Sequence, residues 1–541
     1  MPIRLTNLTL GAAALTLAMP AYAQDGMSAE RADPDAVRAH VEFLADDLLE
    51  GRDAGSRGYD VAALYVASRF RALGLQPGGE NGSWYQQVPF VKTVSTAQSA
   101  SLKTGGSARD VSEAVALYAN PAEERLTLEA PLVFVGSGLD EPLLGYDDYE
   151  GVDVAGKIVV TLDSIPEGQP SDISAHLNSS KAASAAANGA IGMISIGGTG
   201  GERGQRILDF FRGREVIDWV GQDGRPGTLP GTLRFQGRMS QEAARDLLGL
   251  SDKQFAALAA RALKGEKVSR ALDASMAVDL TSRHERFTSP NVIATLPGGD
   301  AAKADEHVFM TAHLDHVGIN DNAPGADKIF NGALDNAAGV STMLEAARLF
   351  TTMDHAPDRT ITFIALTAEE KGLRGAGYYA ANPIVPLEDI AAVVNLDMPA
   401  PLYDFTDVVA FGAEYNSVAE KVAAAGRGLS VTVSPDPMPE QGIFTRSDHY
   451  RFAEKGIPAI LLFTGYEGEG ERLFGDFFAN HYHKPSDDLN LPIKWDALAK
   501  YADLNYRIAL TIADDDERPR WYADTYFGDR FAPGEERAPR P

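Results

Sequence analysis

Apolar runs alternate with amphipathic stretches along this chain, and changes in their rhythm divide it into sections. Near the start, Val37, Val41, Leu44 and Leu48 recur at helical spacing. Asp33 followed by Pro34 makes an N-terminal cap, so a helix is predicted over 33–49. A second amphipathic pattern covers about 59–73 and stops at Gly74. The segment E-G-R-D-A-G-S-R-G (50–58) between them reads as a loop whose glycines permit sharp turns. From about 130 the texture changes to short strand candidates separated by glycine: L-V-F-V-G-S-G (132–138), K-I-V-V-T-L-D (157–163) and A-I-G-M-I-S-I (190–196). An Ala-rich helix is predicted at 180–188, and 197–232 reads as a long Gly- and Arg-rich loop with a short helix.

Beyond about 290 strands and helices alternate. H-V-F-M-T-A (307–312), T-I-T-F-I-A-L (360–366), A-A-V-V-N-L (391–396) and P-A-I-L-L-F (458–463) are near-continuous apolar runs, as expected of central strands covered by helices on both faces. A helix is predicted at roughly 337–353. In open α/β sheets ligands bind beyond the carboxyl ends of the strands, and His313, Glu369, Glu370 and Asp397 fall at or just past such ends. The tail from 513, rich in Asp, Pro and Arg, reads as a frayed end.

Length and charge narrow the picture. At 541 residues the chain is too long for one ordinary core, and its net charge of −27 argues against nucleic-acid binding. Residues 1–23 read as a secretion signal: Arg4 supplies the basic start, 5–19 is mostly apolar, and Ala21-Tyr22-Ala23 has the small-x-small form of a cleavage site. The sequence holds no cysteine, so disulfides and thiolate ligands are excluded. No later segment is apolar enough for a membrane span, so export to the periplasm or medium, without stable membrane insertion, is the expectation.

Five segments carry candidate chemistry: A-H-L-D-H (312–316), G-A-L-D-N (332–336), A-E-E-K-G (368–372), N-L-D-M (395–398) and H-Y-H-K-P-S-D-D (481–488). Each is weak alone. His313 beside Asp315 is also a surface pattern, Asp335 also a helix cap, and Glu369–Glu370 also a solvated loop. Asp397, ending an apolar strand, needs a partner or a cation to be ionised there. A metal-bound imidazole needs its second nitrogen held by an acceptor, a role open to Asp315. Neither a G-x-S-x-G elbow nor an H-E-x-x-H pair is present.

Taken in order, H-x-D, G-x-x-D-N-x-x-G, E-E, N-x-D and a late Y-H-x-P-x-D resemble the secreted di-zinc aminopeptidases with co-catalytic metals, whose relatives include glutamate carboxypeptidases and glutaminyl cyclases. The resemblance is strong over 285–510 and weaker over 31–110. It implies an α/β zinc-peptidase domain with a mixed, largely parallel central sheet flanked by helices. The segment 129–281 resembles an inserted β-rich protease-associated domain, without chemistry of its own. The implied layout is signal (1–23), first peptidase part (24–128), insert (129–281), catalytic part (282–512) and tail (513–541).

The resemblance also implies roles. Two zinc ions, replaceable by other divalent metals, would be held by His313 and Asp397 on one side and by Glu370 and His483 on the other. Asp335 would bridge them, and the Asp335–Asn336 peptide is a candidate for the cis form. Glu369 would be the general base, Asp315 the partner of His313, and Tyr482 a donor to the oxyanion. His481 is set aside as a ligand, and Ser447-Asp448-His449 is placed in the pocket wall. The implied substrate is a peptide with a free N-terminus. The rivals are a carboxypeptidase, for which Arg374 or Arg446 would hold the substrate carboxylate, a glutaminyl cyclase using one zinc, and a non-catalytic receptor-like protein.

Overall fold

The computed structural model describes residues 30–540, so the expected signal at 1–23 lies outside the described residues. The first helix runs Pro34–Leu44, with the Asp33 carboxylate accepting from the Asp35 N–H at 2.9 Å and Val37, Val41 and Leu44 buried. It stops short of the predicted 49. Asp46 accepts from the Leu48 N–H and starts a separate tight turn, Asp47–Arg52, which leaves Leu48 85% exposed. The second helix, Arg57–Ala72, is followed by Gly74 in the left-handed region.

The four predicted central strands appear as His307–His313, Thr360–Leu366, Ile390–Asn395 and Ala459–Thr464. The last three are buried along their whole length, and His307–His313 is buried at every position but its first. They pair in parallel, in the spatial order Ala459–Thr464, Ile390–Asn395, His307–His313, Thr360–Leu366. Antiparallel strands flank them: Asp407–Phe411 on one side and the end of Arg270–Leu296 on the other. The sheet is therefore mixed and largely parallel. The Ala338–Thr351 and Trp495–Ala513 helices pack on it, and both are almost entirely buried.

Two long strands lead away from this sheet. Tyr85–Thr104 and Arg270–Leu296 pair antiparallel from Tyr85 opposite Val292 to Thr104 opposite Ala274. At their far end a second apolar core forms around Ile158–Leu162, Gly192–Ile196 and Phe235–Met239. This core also takes in Ala100, Leu102, Val111, Val115 and Leu117, so its packing begins well before residue 129. Two expectations here are corrected. The 197–232 segment contains a full helix, Gly201–Gly213, and a strand, Val216–Trp219, that pairs with Tyr85–Thr104. The Ala-rich helix is longer than predicted, Ser171–Ala187.

The tail is not frayed. Trp521 and Phe527 are buried, and the Trp521 indole donates to the Gly456 carbonyl at 2.6 Å. Arg530 and the Tyr526 hydroxyl both meet the Glu141 carboxylate, at 2.9 and 3.0 Å. A few aromatic anchors outweigh the polar composition that suggested fraying.

A second contact between the outer module and the part built on the central sheet carries a pH signature. The Tyr415 hydroxyl donates to Asp172 at 2.9 Å. Burial pushes the Asp172 carboxyl up to about 6, with Asp436 adding to the rise against the Tyr415 bond. An acid whose folded pKa is raised destabilises the fold as pH climbs from its unfolded value through its folded one. Asp172→Asn should therefore gain stability relative to the parent between pH 4 and 7, by about 1–2 kcal/mol. Parallel thermal melts at both pH values check this, and a pH-independent difference rules it out.

Candidate metal centre

Each candidate ligand sits where a buried strand or helix end delivers it. His313 is the last residue of its strand, and its Nε2 lies 3.2 Å from Asp335 Oδ1 and 3.1 Å from Asp397 Oδ1. Asp397 follows the neighbouring parallel strand. Its other oxygen accepts from the Ser447 hydroxyl at 2.6 Å, and Ser447 in turn accepts from Asn395 Nδ2 at 2.7 Å. The expected pocket-wall position of Ser447 thus comes with a direct grip on Asp397.

Asp335 lies in the irregular turn that leads into the Ala338–Thr351 helix, and the Asp335–Asn336 peptide is cis. Asp487 fixes this turn by accepting from the Leu334 and Asp335 N–H groups at 2.9 and 3.0 Å. Asn336 donates to the Leu396 carbonyl and accepts from the Gly339 N–H, which ties the turn to the Asp397 segment. A Cβ on Gly339 would lie 2.0 Å from Asn336 Oδ1 and 2.3 Å from the Leu396 carbonyl oxygen, so only glycine allows this approach.

On the other side of Asp335, His483 Nε2 stands 3.2 Å from Asp335 Oδ2 and 3.0 Å from Glu370 Oε2. The structure also brings in a residue to which the sequence reading gave no role. His316 is fully buried, with Nδ1 2.7 Å from Glu370 Oε1 and 3.8 Å from Asp335 Oδ2. Two groups of donors result, His313–Asp335–Asp397 and His316–Asp335–Glu370, each with its ligand atoms within 4.8 Å of one another. They share Asp335. Asp335 Oδ2, Glu370 Oε1 and both His316 nitrogens are buried without a hydrogen-bond partner. Orphaned buried atoms of this kind, all nitrogen and carboxylate oxygen, fit divalent cations such as zinc.

Asp315 acts differently from expectation. Its carboxylate is 4.0 Å from His313 Nδ1, and the ring nitrogen instead meets the Asp315 main-chain carbonyl at 3.0 Å. The carboxylate accepts from the Glu369 and Glu370 N–H groups at 3.0 and 3.3 Å. One residue thus sets both the His313 ring and the two-glutamate turn. Burial raises the Asp315 carboxyl to about 6.

Glu369 belongs to neither donor group. With His313, Asp335, Asp397, Tyr482 and His483 it lines a small cavity that Met398, Ile443, Phe463 and Phe478 also line. Burial, reinforced by Glu370, Asp397 and Asp448 against His313, holds its carboxyl well above the usual range. Asp335 moves the other way. Burial would raise it, but the imidazoles of His313 and His483 hold it well below. Tyr482 stacks between His483, at 3.9 Å, and Phe478, at 4.9 Å. His481 turns away to Ser486. Arg374 donates to the Ile217 carbonyl beside Asp218, whereas Arg446 is exposed at the cavity.

Residues 291–509 match the model of Peptidase family M28. The probable leucine aminopeptidase 2 of Aspergillus oryzae is 30% identical over 215 residues, 38% of this chain and 40% of the relative. Leucine aminopeptidase 2 of Trichophyton rubrum is 29% identical over 279 residues, 48% of this chain and 50% of the relative. The chain thus matches half or less of the length of these relatives. A solved aminopeptidase from Aneurinibacillus sp. strain AM-1 aligns over 90% of this chain and 96% of its own, at 24% identity and a TM-score of 0.49.

The matched segment contains every candidate ligand, but one support comes from outside it. Arg52, buried and in the left-handed region, donates to the Leu314 carbonyl at 3.0 Å, to Asn331 at 2.5 Å, to Gly332 at 3.0 Å and also to Leu44. It joins the loop after His313 to the turn before Asp335. Burial pulls its pKa down to about 10, partly offset by Asp487 and Asp315.

Outer partners of ligands typically contribute 10–100-fold in metal affinity. Asp487→Ala, which frees the Leu334 and Asp335 amides, should weaken zinc binding by about that factor. Competition with a chromophoric chelator measures it, and parental affinity would show that the turn holds its shape unaided.

Proposed function

We propose that this chain is a di-metal exopeptidase that removes N-terminal residues from peptides. The observation that carries the reading is the pair of buried donor groups sharing Asp335, with Glu369 facing the same cavity and bound to neither group. His313 and Asp397 would hold one zinc ion, Glu370 and His483 the other, and Asp335 both. When bound, such cations lower the pKa of water and polarise a carbonyl oxygen. Glu369 takes a proton from the attacking water and passes it to the leaving amine nitrogen. Tyr482, at the cavity wall, donates to the carbonyl oxygen as charge develops there. Asp315 keeps the two glutamates aimed apart, so that one serves proton transfer and the other a cation.

The choice of the amino end is supported by the cavity lining. Asp335, Glu369 and Asp397 put negative charge where a free α-ammonium would sit, and Met398, Ile443, Phe463 and Phe478 offer an apolar wall to the first side chain. Arg446 is the one observation favouring the carboxypeptidase reading, since it stands at this cavity, whereas Arg374 is engaged elsewhere. Glutaminyl cyclisation on one zinc leaves one of the two donor groups without a purpose.

The export reading rests on the pattern of residues 1–23. Among the described residues no helix is long and apolar enough to cross a membrane. The outer module, proposed as a protease-associated domain, flanks the centre: Phe211, Arg214 and Ile217 line a cavity of about 510 Å³ that reaches Glu370 and Lys371.

Glu369→Gln should keep full metal content and lose about 10³-fold in kcat; turnover at the parental rate removes Glu369 from the reaction. A panel of aminoacyl anilides set against N-blocked peptides separates the two exopeptidase readings. Cleavage of an apolar aminoacyl anilide, abolished by chelation and restored by zinc, is expected. Arg446→Ala should leave that rate within about threefold, since an aminoacyl anilide offers its guanidinium no carboxylate to hold.

A further inference from the structure

His316 has no part in the ligand set above, yet its surroundings leave it no other one. His40, His176 and His307, all at least partly buried, each place Nδ1 within 2.6–2.8 Å of a hydroxyl, the ordinary way a folded chain satisfies an inward-facing histidine. His449 also leaves both ring nitrogens without a hydrogen-bond partner, but it packs edge-on against Phe444 and belongs to neither donor group. His316 meets no hydroxyl. Its ring lies edge-on to His483 at 5.8 Å, and Nδ1 faces Glu370 and Asp335. The 2.7 Å approach to Glu370 is not directed as a hydrogen bond, since neither His316 nitrogen nor Glu370 Oε1 has a hydrogen-bond partner. Leaving such atoms unpaired in a buried site is costly, and a cation between them would offset that cost.

We propose that His316 is itself a ligand of the second cation, joining Glu370, His483 and Asp335. The inference rests on the metal reading above and deepens it, because it makes the two cation sites unlike. The His316 side then has four protein donors, the number that closes a tetrahedral zinc shell, while the His313 side has three and keeps a position open. All three donors of the His313 side line the cavity with Glu369, whereas on the His316 side only His483 and the shared Asp335 do. The closed site is a permanent fixture that fills first and releases last. The open site faces the substrate and exchanges its ion.

The test uses the full chain stripped with a chelator and titrated with Co²⁺ alone, read by visible absorption and by bound-metal analysis. The parent should take up two equivalents, the first at least 100-fold more tightly than the second. His316→Gln should lose that separation, binding both equivalents with similar affinity and an altered visible spectrum. His316→Cys supplies a second reading, since the chain has no other cysteine. A thiolate at this position should give a sulfur-to-cobalt charge-transfer band with the first equivalent. A Cys variant that binds cobalt without that band, or a Gln variant with parental spectrum and affinities, overturns the assignment and makes His316 a packing residue. A parent that binds no cobalt overturns the metal reading itself, and the inference with it.

Discussion

Crowding carboxylates into a water-poor space is the constraint around which this molecule is arranged. Asp315, Asp335, Asp397, Asp448 and Asp487 are all buried near one point, with Glu369 and Glu370 beside them. Their mutual repulsion and lost hydration oppose folding unless positive charge is supplied. Within the chain the nearby cations are few and partly committed: Arg52 gives its donors to main-chain carbonyls, and Lys371 is paired with Asp53 at 2.6 Å. The imidazoles of His313 and His483, held protonated by these carboxylates, make up part of the deficit. Divalent ions would supply the remainder, which would link occupancy of the site to stability of the fold.

Rigid elements hold these groups against their repulsion. The parallel strands place His313, the Glu369–Glu370 turn and Asp397 side by side because their registers coincide: His313 pairs with Leu366, and Thr311 with Asn395. Asp335 comes from the opposite direction, on the turn that enters a buried helix, and Asp487 and Asn336 lock that turn to its neighbours. Main-chain N–H groups are used throughout as anchors for side chains that must not move.

Much of this was legible in the residues alone. Strands covered on both faces must be apolar at nearly every position, so 307–312, 360–366, 391–396 and 458–463 announced themselves, and the acidic residues past their ends followed. Other features left no such trace. Arg52 reads as a turn residue, because a guanidinium that serves carbonyl groups has no pattern in neighbouring side chains. His316 reads as a flank of the H-x-D segment, and only the direction of the loop after His313 turns it inward. The Asp315 carboxylate was expected on His313, yet the main-chain carbonyl is closer and frees the carboxylate for the two glutamate amides. The tail reads as frayed in the sequence because Trp521 and Phe527 are too widely spaced to form a periodic signal.

The paired strands Tyr85–Thr104 and Arg270–Leu296 cross without a break from the central sheet into the outer module. A hinge needs a place where hydrogen bonding lapses, and the only irregularity in this ladder is the register shift between Thr281 and Ser282. The outer module is thus built like a beam fixed to the sheet and not like a hinged flap. Cutting it away would bare two long strand edges, which attract other chains. Variation in what reaches the cavity is therefore more readily made by changing side chains on this module than by removing it.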